Sequence, residues 1–217
     1  MKWSEQAWNA SDEVFQQIVQ HPFLEELANG TLPREKFLFY LQQDSFYLEE
    51  YGRVLAGIAT KLDKAEHRSA FIRFADDTVV VESALHESFL KDAPPALYNG
   101  QSPACMLYTG FLFQQLSSRP VKVALAAVLP CFWIYKEVGD FILKHQSGDG
   151  NSYQPWINTY GGDEFANAVN KAISICDELA EQSTLKQQQS MTDAFVYTSK
   201  MEWMFWDSAY HLERWPV

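Results

Sequence analysis

The sequence predicts an all-α protein, a helical bundle of about seven to nine helices, and three observations carry that prediction. Apolar residues recur at three- and four-residue spacing along almost the whole chain, and no stretch alternates apolar with polar residues as a half-buried strand would. The periodic stretches are bounded by helix punctuation, with Pro33 at a start, Asn29-Gly30 at an end, and Thr184 with Gln187 forming a capping box. The run from Val123 to Leu129 is apolar on every side, which a helix tolerates only when other helices surround it. A chain of 217 residues without a low-complexity linker is long enough to bury one large core, so residues 1–217 are expected to form a single domain.

Composition narrows the partners. The chain is 47% hydrophobic and 15% aromatic, richer in flat side chains than a plain bundle needs, which suggests that some of them line a cavity. Its formal charge of −11 argues against nucleic acid, whose phosphates call for a basic face, and disfavours anionic membranes for the same reason. The N-terminus lacks the apolar stretch of a signal peptide, and no apolar run reaches membrane-spanning length, so a soluble cytoplasmic protein is expected. Cys105, Cys131 and Cys176 are an odd number without CxxC spacing and read as free thiols.

Taken in order, Trp3 to Gln20 reads as an amphipathic helix with Val14, Ile18 and Val19 inward, stopped by His21-Pro22. A short helix runs from Phe23 to Asn29-Gly30. The first long helix spans Pro33 to about Leu62, and within it Asp44, Tyr47 and Tyr51 share one stripe. Asp44 there is either a carboxylate held against apolar surface and in need of a partner, or a solvent-facing residue at the stripe's edge. Lys64 to Leu90 reads as a second long helix with Phe71, Phe74, Val79, Leu85 and Phe89 on its buried side. Its Glu82 and His86, one turn apart, could offer two metal ligands. Carboxylate-bridged bundles need more Glu and His on facing helices, so a helix-face hydrogen bond is the better reading and no metal is expected.

Asp92 to Ser102, with Pro94, Pro95 and Gly100, reads as a loop. A helix from Pro103 carries Tyr108, Phe111 and Phe113 as far as Ser117-Ser118-Arg119-Pro120. The central helix then runs to about His145, with Pro130 bending it and Cys131 and Tyr135 sharing a face at the bend. After the turn-forming residues 146–152, a short helix from Pro155 leads to Tyr160 and the flexible pair Gly161-Gly162, whose freedom would let Tyr160 approach something closely. Asp163 caps a helix from Glu164 to about Glu181, and the last helix runs from Thr184 to about Arg214. In it Glu202, Phe205 and Trp206 share one face.

Asp44, Cys131 and Glu202 are thus polar residues on otherwise apolar helices, each accompanied by aromatic rings. That set suits a flat heteroaromatic ligand, which rings can stack on while carboxylates and phenols recognise its edge. Read alone, Cys131 is more simply an inert core thiol than a nucleophile, and Glu202 more simply the border of a core stripe. No adjacent His activates the thiol, and GxSxG, HExxH, P-loop and dinucleotide fingerprints are absent.

Five stretches in order, HPFLEELANGTLPREKFLFYLQQDSFYL, ESALH, LPCFWIYKEVGD, WINTYGGDEF and EWMFWDSAY, make the chain resemble the TenA family of thiaminase II or aminopyrimidine aminohydrolases over nearly its whole length. The resemblance implies a haem-oxygenase-like helical fold, usually a homotetramer, and a reaction that needs no metal or other cofactor. It implies that Cys131 in LPC is the nucleophile and Glu202 in EWMFW the acid/base. Asp44 in QQDSFYL would bind the pyrimidine, Tyr47, Tyr108, Tyr135 and Tyr160 would support it, and Phe205 would stack on it. Cys131 places the chain with the cysteine-containing branch, and the expected substrate is 4-amino-5-aminomethyl-2-methylpyrimidine, or thiamin. A non-catalytic pyrimidine-binding or regulatory protein, and a di-iron oxygenase of the same fold, are the competing readings.

Overall fold

The computed structural model describes residues 1–89, 100–146 and 150–217, and for residues 81–88 the backbone alone. Nine helices follow one another with no strand among the described residues: α1 (Trp3–Val19), α2 (Pro22–Ala28), α3 (Arg34–Ala59), α4 (Ala65–Phe89), α5 (Pro103–Ser118), α6 (Val121–His145), α7 (Gln154–Tyr160), α8 (Asp163–Glu181) and α9 (Leu185–His211). This is the expected all-α, haem-oxygenase-like bundle.

The centre is α6. Its residues from Val123 to Pro130 are all buried, and it packs against α3, α5, α7, α8 and α9, which is what an all-round apolar helix requires. Pro130 sits inside this helix, where its missing N–H leaves the carbonyl one turn earlier without its usual donor. The caps largely follow the sequence. Thr184 and Gln187 bond reciprocally at the start of α9, and the His21 ring caps α2 by accepting the Phe23 N–H at 3.1 Å. Pro33 lies one residue outside α3 as its N-cap rather than in the first turn. Gly162, not Asp163, is the N-cap of α8, and Asp163 joins the acidic first turn, where the helix dipole favours it. The last helix ends three residues earlier than expected because Leu212 turns left-handed, with φ of 53°, and redirects the chain.

Two expectations fail for packing reasons. Phe71 and Phe74 are buried, but Val79 is exposed, because the inward register of α4 continues through Thr78 against Gly52 of α3. The approach of Tyr160 to the core does not depend on the freedom of Gly161-Gly162, both of which have ordinary negative φ. The decisive glycine is Gly139 on α6, where a Cβ would lie 2.8 Å from the Tyr160 carbonyl carbon and 2.9 Å from the Gly161 nitrogen. The backbone of α7 therefore rests directly on α6. Of the loop at residues 92–102, only 100–102 are described, and the Glu82–His86 pair lies outside the described side chains.

Candidate active site

Five helices direct the eight singled-out residues to one place: Asp44 and Tyr47 from α3, Tyr108 from α5, Cys131 and Tyr135 from α6, Tyr160 from α7, and Glu202 and Phe205 from α9. All are buried except Cys131, which is half-buried. Asp44 therefore takes the first of its two readings, at 5% exposure, and Glu202 at 2% is no border residue.

A short polar contact joins two of them, the Tyr108 hydroxyl donating to Glu202 Oε1 at 2.6 Å. Such a short bond to a carboxylate favours the ionised form, yet burial outweighs it, and the Asp44 charge adds to burial, so the Glu202 carboxyl is raised to about 8. At neutral pH this site holds a protonated carboxylic acid. Burial likewise pushes the Cys131 thiol well up and the Glu202 charge adds to it, while the Tyr47 hydroxyl offsets part of that rise. The thiol is neutral at rest. Tyr51 is itself fixed, since its hydroxyl donates to the Val128 carbonyl at 2.8 Å, in the turn of α6 just before Pro130 and Cys131.

Rings close the rest of the site. Tyr47 packs on Tyr108 with centroids 4.8 Å apart and meets Phe205 edge-on at 5.7 Å. Tyr135 packs on Tyr160 at 4.9 Å and on Trp206 at 5.2 Å. Among the described residues the Trp206 indole N–H is buried without a hydrogen-bond partner, a donor left to a flat ligand with acceptors at its edge.

Three residues of this wall were not singled out as site residues from the sequence. Tyr40, fully buried, lies 3.2 Å from the Tyr135 hydroxyl through its own, and accepts the Trp156 N–H at 3.3 Å. Its ring stacks on Trp206, centroids 5.0 Å apart and planes 15° from parallel. The available signal was spacing, because Tyr40 is one helical turn before Asp44 on the same stripe. Trp206 gave the same signal, one turn after Glu202 on the face already noted, whereas Trp156 gave none among so many aromatics.

The other two thiols are different. Cys105 is fully buried and raised to about 12 by burial, and Cys176 is buried and raised as well. Among the described residues, one His and carboxylate cluster brings ligand-type atoms together. It is Glu66, His67 and Glu178, between α4 and α8, outside this site, and Lys64 already bonds the Glu178 carboxylate.

A bundle that gathers a half-buried thiol, two buried carboxyls and a wall of aromatic rings where five helices meet is of the small-molecule class, with the residue types that suit a planar ligand. The chain belongs to the TENA/THI-4/PQQC family, whose profile matches residues 8–212. It is 35% identical to the aminopyrimidine aminohydrolase of Bacillus subtilis strain 168, over 99% of this chain and 92% of that protein. It is 29% identical to that of Halalkalibacterium halodurans, over 99% of this chain and 98% of the other. Among solved structures, a TenA homologue from P. horikoshii OT3 superposes with a TM-score of 0.85 at 28% identity, covering 97% of this chain and 99% of that one. No helix among the described residues is long and apolar enough to cross a membrane.

Proposed function

We propose that this protein is an aminopyrimidine aminohydrolase of thiamin salvage, a C–N bond hydrolase that converts 4-amino-5-aminomethyl-2-methylpyrimidine to its 5-hydroxymethyl counterpart. The observation that carries the reading is the placement of a half-buried thiol, a carboxyl raised to about 8 and a second buried carboxylate in one aromatic-walled site. Full-length likeness to two aminopyrimidine aminohydrolases supports it.

Asp44 accepts hydrogen bonds from the 4-amino group and Phe205 stacks on the ring. Tyr47, Tyr108, Tyr135 and Tyr160 hold the ring in register. The Cys131 sulfur adds to the unsubstituted ring carbon. Glu202, protonated at rest, gives its proton to the ring nitrogen as aromaticity is lost and recovers one from the thiol, so the pair transfers one proton in net. The electron pair returning from the ring nitrogen expels the substituent as ammonia, the ring N–H proton passing through Glu202 to the departing nitrogen, and leaves an exocyclic methylene. Water then adds its oxygen to that carbon. The C–S bond breaks, the sulfur regains its proton and the ring is aromatic again. No step calls on a metal.

The family resemblance also implies a cytoplasmic homotetramer, and the exposed Ile72, Val79 and Val80 of α4 supply apolar surface of the kind an assembly covers. The net charge of −11 supports a small-molecule partner rather than nucleic acid.

The test is steady-state hydrolysis of the aminomethyl pyrimidine and of thiamin side by side, with wild type and Cys131→Ser. Thiol-dependent turnover with the higher specificity constant for the aminomethyl compound is expected, with Cys131→Ser nearly inactive but still binding the hydroxymethyl product. Binding without any turnover by the wild type would replace this reading with that of a pyrimidine-binding protein.

A further inference from the structure

One residue of the described chain makes hydrogen bonds of opposite sense to two points of a single short segment. Gln43 is 2% exposed, and its Nε2 donates to the Gly100 carbonyl at 3.2 Å while its Oε1 accepts the Ser102 N–H at 2.7 Å. Its backbone carbonyl also accepts the Cys105 thiol proton at 3.6 Å. Ser102 is the N-cap of α5, where four N–H groups normally lack helical partners. Here every one is accounted for. The Ser102 N–H reaches Gln43 as above, Pro103 has none, the Ala104 N–H reaches the Glu213 carboxylate at 3.3 Å and the Cys105 N–H reaches the Ser102 hydroxyl at 3.2 Å, after which the Met106 N–H begins the helical ladder on the Ser102 carbonyl at 2.9 Å. Helix α9 joins the same point, since the Ser208 hydroxyl donates to that of Ser102 at 3.2 Å. Beyond the left-handed Leu212, the Trp215 indole donates to the Gln101 carbonyl at 2.9 Å.

The start of α5 is therefore clamped between α3 and α9. Tyr108 stands six residues after Ser102 on that helix, and the hydroxyl it presents to Glu202 sits at 2.6 Å, a separation that tolerates little displacement. Glu202 lies six residues before Ser208. The clamp and the Tyr108–Glu202 bond thus join the same two helices at two points, so a shift of α5 at the first is felt at the second.

We propose that Gln43 is a positioning residue: it fixes the start of α5 through Gly100 and Ser102, and so sets the Tyr108 hydroxyl on the Glu202 carboxyl. The carboxamide is needed because one end must donate and the other accept while the Gln43 side chain itself is almost wholly buried. Methionine has the length and neither function. The inference rests on the functional reading above for its consequence in turnover, and on the hydrogen bonds alone for its consequence at Glu202.

The experiment therefore reads Glu202 directly. Its protonated carboxyl band in the infrared, assigned by its loss in Glu202→Gln, is titrated in wild type, Gln43→Met, Tyr108→Phe and the double variant. The Tyr108 bond is what holds the Glu202 carboxyl down against burial. Loosening it raises the midpoint, by roughly half a unit to one unit in Gln43→Met. The double variant should move no further than Tyr108→Phe alone. Ser208→Ala, which removes a milder part of the clamp, should shift the midpoint in the same direction by less, and it serves if Gln43→Met does not fold. In turnover, kcat should fall about tenfold with KM little changed. An unmoved midpoint in a folded variant, or shifts that add in the double variant, would overturn the proposal. A wild type inactive on both pyrimidines would remove the functional reading and leave the infrared result to decide the clamp.

Discussion

Glu202→Gln should make the unliganded protein more stable above roughly pH 6, and increasingly so as pH rises. In an unfolded chain the carboxyl titrates near 4.5, and in the folded site it is raised to about 8. Below pH 4.5 it is protonated in both states and costs nothing. Between 4.5 and 8 the folded protein holds a proton that the unfolded chain has released, so stability is lost with rising pH at about 1.4 kcal/mol per unit. Above 8 the loss is complete. The accumulated penalty is about 3 kcal/mol at pH 7 and about 4–5 kcal/mol above pH 8. Glutamine keeps the shape and can accept the Tyr108 hydroxyl at the same oxygen, without titrating. Burying its amide N–H groups costs about 1–2 kcal/mol at every pH. The net gain is then about 2 kcal/mol at pH 7, or roughly 4–8 °C in Tm for a chain of this length. Paired melts of wild type and variant at pH 5, 7 and 8.5 cancel every other titrating group. The Tm difference should widen across the series while turnover is lost. A difference that stays flat with pH would refute the protonated resting state of Glu202, whatever its absolute size.

Two further outcomes follow from the packing and from the thiol. Gly139→Ala places a methyl against the Tyr160–Gly161 backbone and should cost about 2 kcal/mol with a fall in kcat/KM. Gly57→Ala, which meets only the movable tip of Leu116, should cost under about 1 kcal/mol by urea unfolding and leave activity intact. Alkylation of Cys131 by iodoacetamide, followed by peptide mass mapping, should accelerate continuously with pH through 9, because burial and the Glu202 charge hold the thiol well above its ordinary value. A rate that levels off below pH 8 would show a preformed thiolate instead.

The sequence made the helices legible because their order depends on local signals, namely apolar period, caps and prolines. It could not decide the fate of Asp44 or Glu202 from period alone. A carboxylate within an aromatic stripe looks the same at the rim as in the core until the partner helix is known. For Glu202 that partner is Tyr108, 94 residues away in sequence. The family motifs pointed to all eight residues that the fold brings together, whereas Gln43 escaped both routes. It adjoins Asp44 and so lies off the stripe, and its two bonds run to a segment 57 and 59 residues distant. Gly139 escaped for a related reason, since a glycine in a helix shows nothing of the backbone that will rest on it.

A thiol without a histidine and a carboxylic acid that keeps its proton at neutral pH fit together once their charges are considered jointly. The Glu202 charge raises the cost of ionising Cys131, because a thiolate and a carboxylate in one low-dielectric site repel. Asp44 adds to the same pressure on both. In the proposed reaction the resting site therefore holds its nucleophile and its acid neutral, and neither is spent before a ligand arrives. A ring nitrogen that takes the Glu202 proton brings a positive charge into the site, which offsets that repulsion. The carboxylate so formed is the base the thiol lacks. Activation of Cys131 is thus coupled to protonation of the ligand, which makes a basic ring nitrogen a requirement of the chemistry as well as of binding. A pyrimidine analogue with carbon at that position should bind through Asp44 and the rings while leaving Cys131 as unreactive as in the empty protein.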